Sequence, residues 1–377
     1  MKIAVLGAGM VGRAMAIDLC KKNEVTSFDV SDNSLSILNA KEPSIKTVKT
    51  NLSDYAGYPS MLKDFDYAII AVPGFMGFKT LEAVIKSKKN VVDISFFPED
   101  AFELDALAKE NNVTAIVDCG IAPGMSNFII GYHNANMQVT AFEFMVGGLP
   151  KQRVKPFEYK APFSPVDVIE IYTRPARFME HGQIVTKTAL SEAELLDFEP
   201  VGTLEAFNSD GLRSILLTMA HIPNMKEKTL RYPGHIDLIK SFIKGGLFDE
   251  HPINYKGMDI SPLDFVSQIL FKQWKLGLNE EEFTIGRNIV TGIENGQKKR
   301  ITYDVYDTYD AATQTSSMSR TTGYTCTAAV NLLINNMFSY KGVFPPELVG
   351  GKEGCFDFVV NYLKERNVVY KKTEELL

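Results

Sequence analysis

Three glycines near the start of the chain have the spacing of a phosphate-binding loop. Gly7, Gly9 and Gly12 form G-x-G-x-x-G between the apolar run 3–6 and a predicted helix over 10–22. The run is partly β-branched and long enough for a buried parallel strand. In such a turn the glycines permit a tight bend, a close approach of pyrophosphate and close packing of the helix on the strand. We therefore expect a dinucleotide whose phosphates meet the N–H groups at the start of the helix.

An acidic residue after the loop indicates which dinucleotide is bound. A second predicted strand, VTSFD, ends at Asp29, seventeen residues after Gly12, near the separation expected for the carboxylate that binds the adenosine ribose. This carboxylate would repel a 2′-phosphate, and VSDN, which follows it, contains no Arg or Lys. NAD is therefore predicted in preference to NADP. The residues expected to bind it are Gly7, Gly9, Met10, Val11, Gly12, Asp29, Asn51, Val72 and Pro73.

Two further acids end apolar strands in the same part of the chain. Asp93 closes VVD and Asp118 closes IVD, and open parallel sheets bind ligands at the carboxyl ends of their strands. A carboxylate at that edge could hold a substrate ammonium group or accept a proton. Either acid could instead cap the helix or turn that follows it. We take both as candidate catalytic residues.

The elements that would position these residues follow two patterns. Up to about residue 122, strand signals alternate with helical ones, as in a doubly wound parallel sheet. Beyond it, TAFEFMVGGLP, VIEIYTRPARFME and QKKRITYDVYDTY resemble longer amphipathic strands, and TGYTCTAAVNLLINN is typical of a helix. The sequence predicts an α/β protein with a Rossmann doubly wound parallel sheet, plus a second α+β domain with a mixed or antiparallel sheet.

Composition excludes several classes of protein. The 377 residues exceed what one hydrophobic core usually serves, so two domains are expected. A formal net charge of −6 argues against a nucleic-acid partner. The four cysteines lack metal-ligand spacing, so reduced thiols and no metal site are expected. No signal sequence or membrane-spanning run is recognisable, which favours a cytoplasmic protein without a membrane partner.

Six ordered motifs outside the glycine loop resemble the saccharopine dehydrogenase-like family. They are GIAPGMSN (120–127), GGLP (147–150), TRPARFM (173–179), EAFNSDGLRSIL (205–216), TLRYPGH (229–235) and SRTTGYTCTAAVNLL (319–333). Within the family, DCGIAPGMSN, YTRPAR and SDGLR are most similar to the branch of NAD-dependent L-lysine 6-dehydrogenases. Saccharopine-forming reductases usually carry an Asp where this chain has Ala122. The resemblance therefore favours oxidative deamination over a condensing reaction.

The resemblance implies an architecture and a reaction. Residues 1–122 would form the Rossmann domain, residues 123–317 a substrate and oligomerisation domain, and residues 318–377 a segment returning to the Rossmann domain. A cleft between the domains would hold a small amino-acid substrate against the nicotinamide. The implied reaction oxidises the ε-amine of lysine to 2-aminoadipate 6-semialdehyde. Relatives look multimeric, so a homo-oligomer, either a dimer or a tetramer, is expected.

That reaction requires a base for the amine and a planar cation for the α-carboxylate. The candidate bases are Asp93, Asp118 and His235. The substrate-binding candidates, three motif arginines and one acid for the α-ammonium, are Arg177, Arg213, Arg231 and Asp210. Each arginine could instead be an ordinary surface or loop residue, and the remaining histidines receive no role.

Two other functions stay open on the sequence. The chain could be a reductase that joins an aldehyde to an amine, as saccharopine- or carboxynorspermidine-synthesising relatives do, which would favour NADPH. The absence of a basic residue after Asp29 argues against this. Alternatively, the chain could be a dinucleotide-sensing protein that keeps the fold without turnover, since fold does not determine function.

Overall fold

The computed structural model describes residues 1–163, 165–277 and 279–377. The strands, in chain order, are β1 (Lys2–Leu6), β2 (Glu24–Asp29), β3 (Lys46–Lys49), β4 (Tyr67–Ile70), β5 (Asn90–Asp93), β6 (Thr114–Ile116), β7 (Gln138–Pro150), β8 (Ala176–Glu180), β9 (Gln183–Lys187), β10 (Glu194–Phe198), β11 (Gly202–Asn208), β12 (Asn224–Arg231), β13 (Ile253–Tyr255), β14 (Met258–Ile260), β15 (Glu282–Glu294), β16 (Gln297–Thr308), β17 (Gly342–Phe344) and β18 (Tyr370–Leu376).

Helices connect these strands and cover the sheets. They are α1 (Met10–Cys20), α2 (Asp32–Lys41), α3 (Tyr58–Leu62), α4 (Gly74–Lys86), α5 (Asp105–Glu110), α6 (Met125–Asn136), α7 (Pro165–Thr173), α8 (Ile215–Thr218), α9 (His235–Lys244), α10 (Pro262–Trp274), α11 (Ser317–Ile334), α12 (Pro346–Gly350) and α13 (Cys355–Lys364). Short 3₁₀ turns precede α3 and α5.

The first domain is built on a seven-stranded parallel sheet with the order β17-β6-β5-β4-β1-β2-β3. Its central strand is apolar on both faces: Ile3 and Val5 pack into one core, and Ala4 and Leu6 pack into another. This is expected when helices cover both sides of a parallel sheet. The strand order reverses between β1 and β4, which opens a crevice at the carboxyl ends of the strands.

The second domain is built on a mixed sheet of nine strands. Seven strands follow the order β10-β11-β12-β7-β15-β16-β18, and β8 joins β12 to β9. The pair β12 and β7 is parallel, whereas the other pairs in this sheet are antiparallel. The predicted fold class, a Rossmann sheet plus a domain with a mixed sheet, is confirmed.

The last part of the chain contacts both domains. Helix α11 lies against α1, where the Thr327 hydroxyl donates to Asp18 Oδ2 at 2.7 Å, and β17 extends the Rossmann sheet beside β6. The final strand β18, however, pairs with β16 in the mixed sheet. The expectation that residues 318–377 return to the Rossmann domain therefore does not hold for β18.

One segment expected to be a strand is helical. All of VIEIYT, the first part of VIEIYTRPARFME, lies in α7, and only ARFME at its end forms β8. The buried residues Val168, Ile169 and Tyr172 recur at helical spacing. The β-branched composition of this segment favours a strand locally, but burial of one helical face outweighs that preference.

Candidate active site

A cavity of about 1200 Å³ lies between the carboxyl ends of the Rossmann strands and the mixed sheet. Typical small-ligand sites have volumes of roughly 300–1,000 Å³, so this one has room for a dinucleotide and a second small molecule. The lining includes the nine residues that the sequence predicts for cofactor binding: Gly7, Gly9, Met10, Val11, Gly12, Asp29, Asn51, Val72 and Pro73.

The glycine loop fits a pyrophosphate. Gly7 has a φ of +117°, and a Cβ on it would lie 2.4 Å from the carbonyl oxygen of Ala71. A Cβ on Gly12 would lie 2.1 Å from the carbonyl oxygen of Gly7. A Cβ on Gly9 would contact nothing within 4 Å, although this residue lines the cavity. A side chain at Gly7 or Gly12 would therefore clash with the protein backbone. A side chain at Gly9 would instead occupy the open space before the N-terminus of α1, where phosphates bind favourably.

Asp29 is held at the end of β2 by backbone donors. The Ala8 N–H donates to Oδ2 at 2.6 Å, and the Ser31 N–H donates to Oδ1 at 2.8 Å. A carboxylate oxygen can accept more than one hydrogen bond. Asp29 is thus oriented by the glycine loop and can still accept hydrogen bonds from ribose hydroxyls.

Arg13 also lines the cavity, although it did not stand out in the sequence. Its side chain lies in α1, the residue is only 8% exposed, and burial lowers the pKa of the guanidinium. No hydrogen bond or ion pair engages this guanidinium among the described residues. Arg13 directly follows the last glycine of the motif and so adds positive charge beside the phosphate loop. Its place in the sequence, next to Gly12, is the signal that could have identified it.

Strand β12 forms the opposite wall of the cavity. Glu227, Thr229 and Arg231 line it because alternate side chains of a strand share a face, and all three are buried. Arg231 Nε donates to the Tyr172 hydroxyl at 3.1 Å, and Nη1 donates to the Leu230 carbonyl at 2.9 Å. Its Nη2 has no partner among the described residues. A fixed guanidinium with a free donor is suited to binding a carboxylate.

Glu227 is the buried acid of this wall and did not stand out in the sequence. The Ser209 hydroxyl donates to Oε2 at 2.7 Å, and the Gly211 N–H donates to the same oxygen at 3.1 Å. Burial raises the pKa of Glu227 to about 7, although these two hydrogen bonds lower it. The signal available in the sequence was the alternation that places Glu227 on the same strand face as Arg231.

Asp210 lines the cavity, but it is held there by Arg177. Arg177 Nε donates to Oδ1 at 3.0 Å, and Nη2 donates to Oδ2 at 2.8 Å. The Arg177 side chain is half exposed and does not line the cavity. The structure therefore corrects the expectation that Arg177 binds substrate: its geometry is that of a residue that positions Asp210.

Asp118 and Arg213 form a buried ion pair and do not face the cavity. Arg213 Nε lies 3.0 Å from Asp118 Oδ1 and 2.9 Å from Oδ2, and both side chains are buried. The guanidinium also lies 4.5 Å from the centroid of the Phe96 ring. The expected roles in catalysis and carboxylate binding are thus corrected, because each charge satisfies the other across the junction between the domains.

Asp93 is likewise enclosed. It is fully buried, accepts hydrogen bonds from the backbone N–H of Ser95 at 2.7 Å and from the Ser95 hydroxyl, and does not line the cavity. Burial raises its pKa to about 8. This geometry is that of a carboxylate that caps the turn after β5, the alternative that the sequence left open, rather than that of a carboxylate that contacts a substrate.

His235 lies in the aromatic core of the second domain and does not line the cavity. Its Nδ1–H donates to the Phe157 carbonyl at 2.9 Å, and Nε2 accepts from the Tyr172 hydroxyl at 2.9 Å. Burial and the nearby Arg231 lower its pKa to about 3, so the ring is neutral at pH 7. The expectation that it serves as a base for the substrate is corrected.

Among the residues that the structure describes, no group of three or more His, Cys, Asp or Glu side chains is arranged to hold a metal ion. Within the same residues, no helix has the length and apolar character needed to cross a membrane.

The fold and the cavity together define a two-domain protein of the dinucleotide-binding class. The chain belongs to the saccharopine dehydrogenase family. The model of the saccharopine dehydrogenase NADP binding domain matches residues 3–116, and that of the saccharopine dehydrogenase C-terminal domain matches residues 117–368. The family predicted from the motifs is confirmed, and a nicotinamide dinucleotide is supported as the cofactor class.

Curated relatives are distant. The chain is 24% identical over 277 residues to mouse mitochondrial alpha-aminoadipic semialdehyde synthase, a match that covers 70% of this chain and 30% of the mouse protein. It is 23% identical to the NADP(+), L-glutamate-forming saccharopine dehydrogenase of Saccharomyces cerevisiae, which covers 66% of this chain and 58% of the yeast protein. It is 20% identical to carboxyaminopropylagmatine dehydrogenase of Synechocystis, with 92% of each protein covered.

Solved structures support the fold. Apo saccharopine dehydrogenase (L-Glu forming) from Saccharomyces cerevisiae matches with a TM-score of 0.79 at 18% identity and covers 99% of each chain. Homospermidine synthase from Legionella pneumophila, in complex with NAD, matches with a TM-score of 0.67 at 13% identity and covers 99% of this chain and 91% of that one.

Proposed function

We propose that this protein is an NAD-dependent dehydrogenase that oxidatively deaminates the ε-amino group of L-lysine. One observation carries the proposal: a single cavity brings the glycine loop and Asp29 together with Arg231 and Asp210. Residues suited to a dinucleotide and residues suited to a charged amino acid thus line one cavity. The likeness of the family motifs to lysine 6-dehydrogenases supports the choice of substrate.

The overall reaction converts lysine, oxidised dinucleotide and water into 2-aminoadipate 6-semialdehyde, ammonium, reduced dinucleotide and one proton. When bound, the nicotinamide accepts a hydride from the carbon that carries the amine. The chain itself must bind the α-carboxylate, hold the amine in its neutral form and exclude bulk water while admitting one molecule to the iminium. The position of the cavity between two domains is suited to this exclusion.

We assign the amino-acid end of the substrate to Arg231 and Asp210. Arg231 is buried, its orientation is fixed by Tyr172, and its Nη2 is free to donate to the α-carboxylate. Asp210 is anchored by Arg177 in the same cavity and can accept hydrogen bonds from the α-ammonium. Arg231 and Asp210 line the same cavity, and their charges are opposite to those of the carboxylate and ammonium groups of an amino acid.

The preference for NAD rests on Asp29. Its carboxylate accepts hydrogen bonds from Ala8 and Ser31 and would oppose the charge of a 2′-phosphate. No cation follows it in the β2–α2 connection. These observations support NAD as the cofactor within the nicotinamide class.

A spectrophotometric assay tests the proposed function. NAD reduction at 340 nm would be followed with lysine, ornithine, other amino acids and polyamines, each with and without 2-oxoglutarate. We expect a lysine-dependent signal that needs no keto acid and releases ammonia. Activity that requires glutamate and a semialdehyde in the reducing direction would instead contradict deamination.

A second candidate function is a reductase that joins an aldehyde to an amine. The match to carboxyaminopropylagmatine dehydrogenase over 92% of both proteins favours it, and the cavity of about 1200 Å³ has room for a larger, condensed product. Ala122 lines the cavity at the position where saccharopine-forming relatives usually carry an Asp. We place this candidate second because that carboxylate is missing.

A further inference from the structure

Glu227 lines the cavity and has one carboxylate oxygen that no described residue engages. Both hydrogen bonds to the Glu227 carboxylate go to Oε2, from Ser209 and Gly211. Oε1 has no partner among the described residues, and the residue lines the cavity. The Ser209 hydroxyl uses its single proton on Glu227, so Thr229, 2.7 Å away, donates to Ser209. This chain of hydroxyls fixes the carboxylate orientation.

Three other acids of the cavity have hydrogen-bond or ion-pair partners, on both oxygens in the case of Asp210 and Asp29. Asp210 is held by both donors of Arg177, Glu170 is paired with Arg174, and Asp29 lies at the dinucleotide end, where it accepts two backbone N–H groups. By contrast, no cation lies within hydrogen-bonding distance of Glu227 among the described residues. Its charge can therefore be matched by a cationic ligand.

The backbone around Glu227 is shaped to hold it. A Cβ on Gly211 would lie 2.7 Å from Cγ and Cδ of Glu227, so only glycine leaves room for this carboxylate beneath the SDG turn. Glu227 itself is 4% exposed. Two segments, the turn after β11 and the strand β12, thus form the surroundings of the Glu227 carboxylate.

We propose that Glu227 is the catalytic proton acceptor for the substrate amine, an assignment that rests on the proposed dehydrogenase function. The substrate ammonium donates to Oε1, and one proton passes from nitrogen to that oxygen, leaving a neutral amine and a neutral Glu227. The amine-bearing carbon then loses a hydride, with its electron pair, to the oxidised dinucleotide. The resulting iminium is hydrolysed by water, and Glu227 returns its proton to solvent.

Glu227→Gln tests the assignment with a near-isosteric change. We expect kcat to fall by about 100-fold or more, in the range typical of general-base removal, while NADH affinity stays within about twofold. In the wild type, kcat/KM should decline as the pH falls through about 7, because Glu227 then becomes protonated. The charged groups that face it are Asp210, which raises its pKa, and Arg231, which lowers it.

Two further variants distinguish a catalytic role of Glu227 from a purely structural one. Ser209→Ala removes a hydrogen bond that favours the ionised form, so the acidic limb of the pH profile should move to higher pH with the fold intact. Glu143→Gln is the matched control, since Glu143 lies on the neighbouring strand β7, pairs with Lys226 and does not line the cavity. It should leave both kcat and the pH profile unchanged.

The possible results are distinguishable. If the wild type oxidises amines but Glu227→Gln keeps its kcat and its acidic limb, the assignment of Glu227 is wrong and the proposed function survives. If Glu227→Gln unfolds, an unshifted acidic limb in Ser209→Ala overturns the assignment. If the wild type oxidises no amine with either dinucleotide, both the function and the assignment are wrong.

Discussion

Asp29 is the residue on which the proposed preference for NAD rests. Asp29→Ala removes the acceptor for the ribose hydroxyls and frees the Ala8 N–H that it orients. We expect NADH affinity to fall about tenfold or more, because one or two hydrogen bonds to a charged group are each worth about 1.5–3 kcal/mol. Affinity for NADPH should fall less, since a repulsive charge is also removed. Isothermal titration calorimetry measures the affinity of the wild type and of Asp29→Ala for NADH and for NADPH.

The control for this prediction is Asp32→Ala. Asp32 is exposed, pairs with Lys49 on the surface and does not line the cavity, so NADH binding should be unchanged. Equal wild-type affinity for NADH and NADPH, or an Asp29→Ala variant that binds NADH normally, would show that the ribose is recognised elsewhere.

Arg231 is the residue expected to anchor the substrate carboxylate. Arg231→Lys keeps the charge but loses the planar fork and the stacking on Tyr159, whose ring centroid lies 4.3 Å from the guanidinium. We expect KM for the amino acid to rise about 10- to 100-fold, with NADH affinity unchanged. Steady-state kinetics and calorimetry separate the two effects. Arg287→Lys, which changes an arginine paired with Asp304 outside the cavity, should alter neither quantity.

The strand-to-helix turn at the start of the chain is the element that the dinucleotide needs. Gly12→Ala places a Cβ 2.1 Å from the Gly7 carbonyl oxygen, whereas Gly9→Ala places one in open space. We therefore expect Gly12→Ala to lower the Tm and weaken NADH binding. Gly9→Ala should keep the wild-type Tm yet lose NADH affinity, because only the phosphate site is filled.

Thermal melts and NADH titrations of both variants test this contrast. Gly182→Ala is a control that should change stability alone. Gly182 has a φ of +78°, and a Cβ on it would contact nothing within 4 Å. It lies far along the chain from the glycine loop. It should cost some stability without affecting NADH. A Gly9→Ala variant that binds NADH as tightly as the wild type would mean that the phosphates do not approach this loop.

The ion pair between Asp18 and Arg366 joins α1 to the C-terminal part of the molecule. Arg366 Nε donates to both Asp18 oxygens at 2.8 and 2.9 Å, and the Tyr362 and Thr327 hydroxyls also donate to this carboxylate. Burial alone would raise the pKa of Asp18, but these donors outweigh it and lower the pKa. The C-terminal helices are thereby fixed to the domain that binds the dinucleotide.

Asp18→Asn removes the buried carboxylate that pairs with the mostly buried Arg366 and leaves only the exposed Glu365, whose Oε2 lies 3.7 Å from Nη1. We expect the free energy of unfolding to fall by about 3 kcal/mol at pH 7, the lower end of the cost of breaking a buried pair. Because the folded pKa is depressed, this contribution is fully present above the unfolded value of about 3.9 and is lost as the pH falls through the folded pKa. Urea denaturation at pH 7, 5 and 3 measures the difference.

The stability difference between wild type and Asp18→Asn should therefore be constant from pH 7 to 5 and shrink at pH 3. The double variant Asp18→Asn with Arg366→Met should recover part of the loss at pH 7, since only the exposed Lys21 and Glu365 are then left without these partners. A difference that grows on acidification would show that Asp18 is not ionised in the folded protein.

The sequence by itself determined the fold class, the family and the group of residues that line the cavity beside the glycine loop. The reason is that these features are local: Gly7, Gly9 and Gly12 lie within one turn, Asp29 ends the next strand, and the alternation of strands and helices places their carboxyl ends together. Residues that act through a local motif could be identified without knowing what packs against them.

Only the tertiary structure decided which charged side chains line the part of the cavity away from the glycine loop. Asp118 and Arg213 are 95 residues apart, and their pairing removes both from the cavity. Glu227 gains an oriented carboxylate from Ser209 and Gly211 on another segment. Whether a charged side chain is neutralised, buried or left facing a ligand depends on which distant groups surround it, and spacing along the chain does not encode those neighbours.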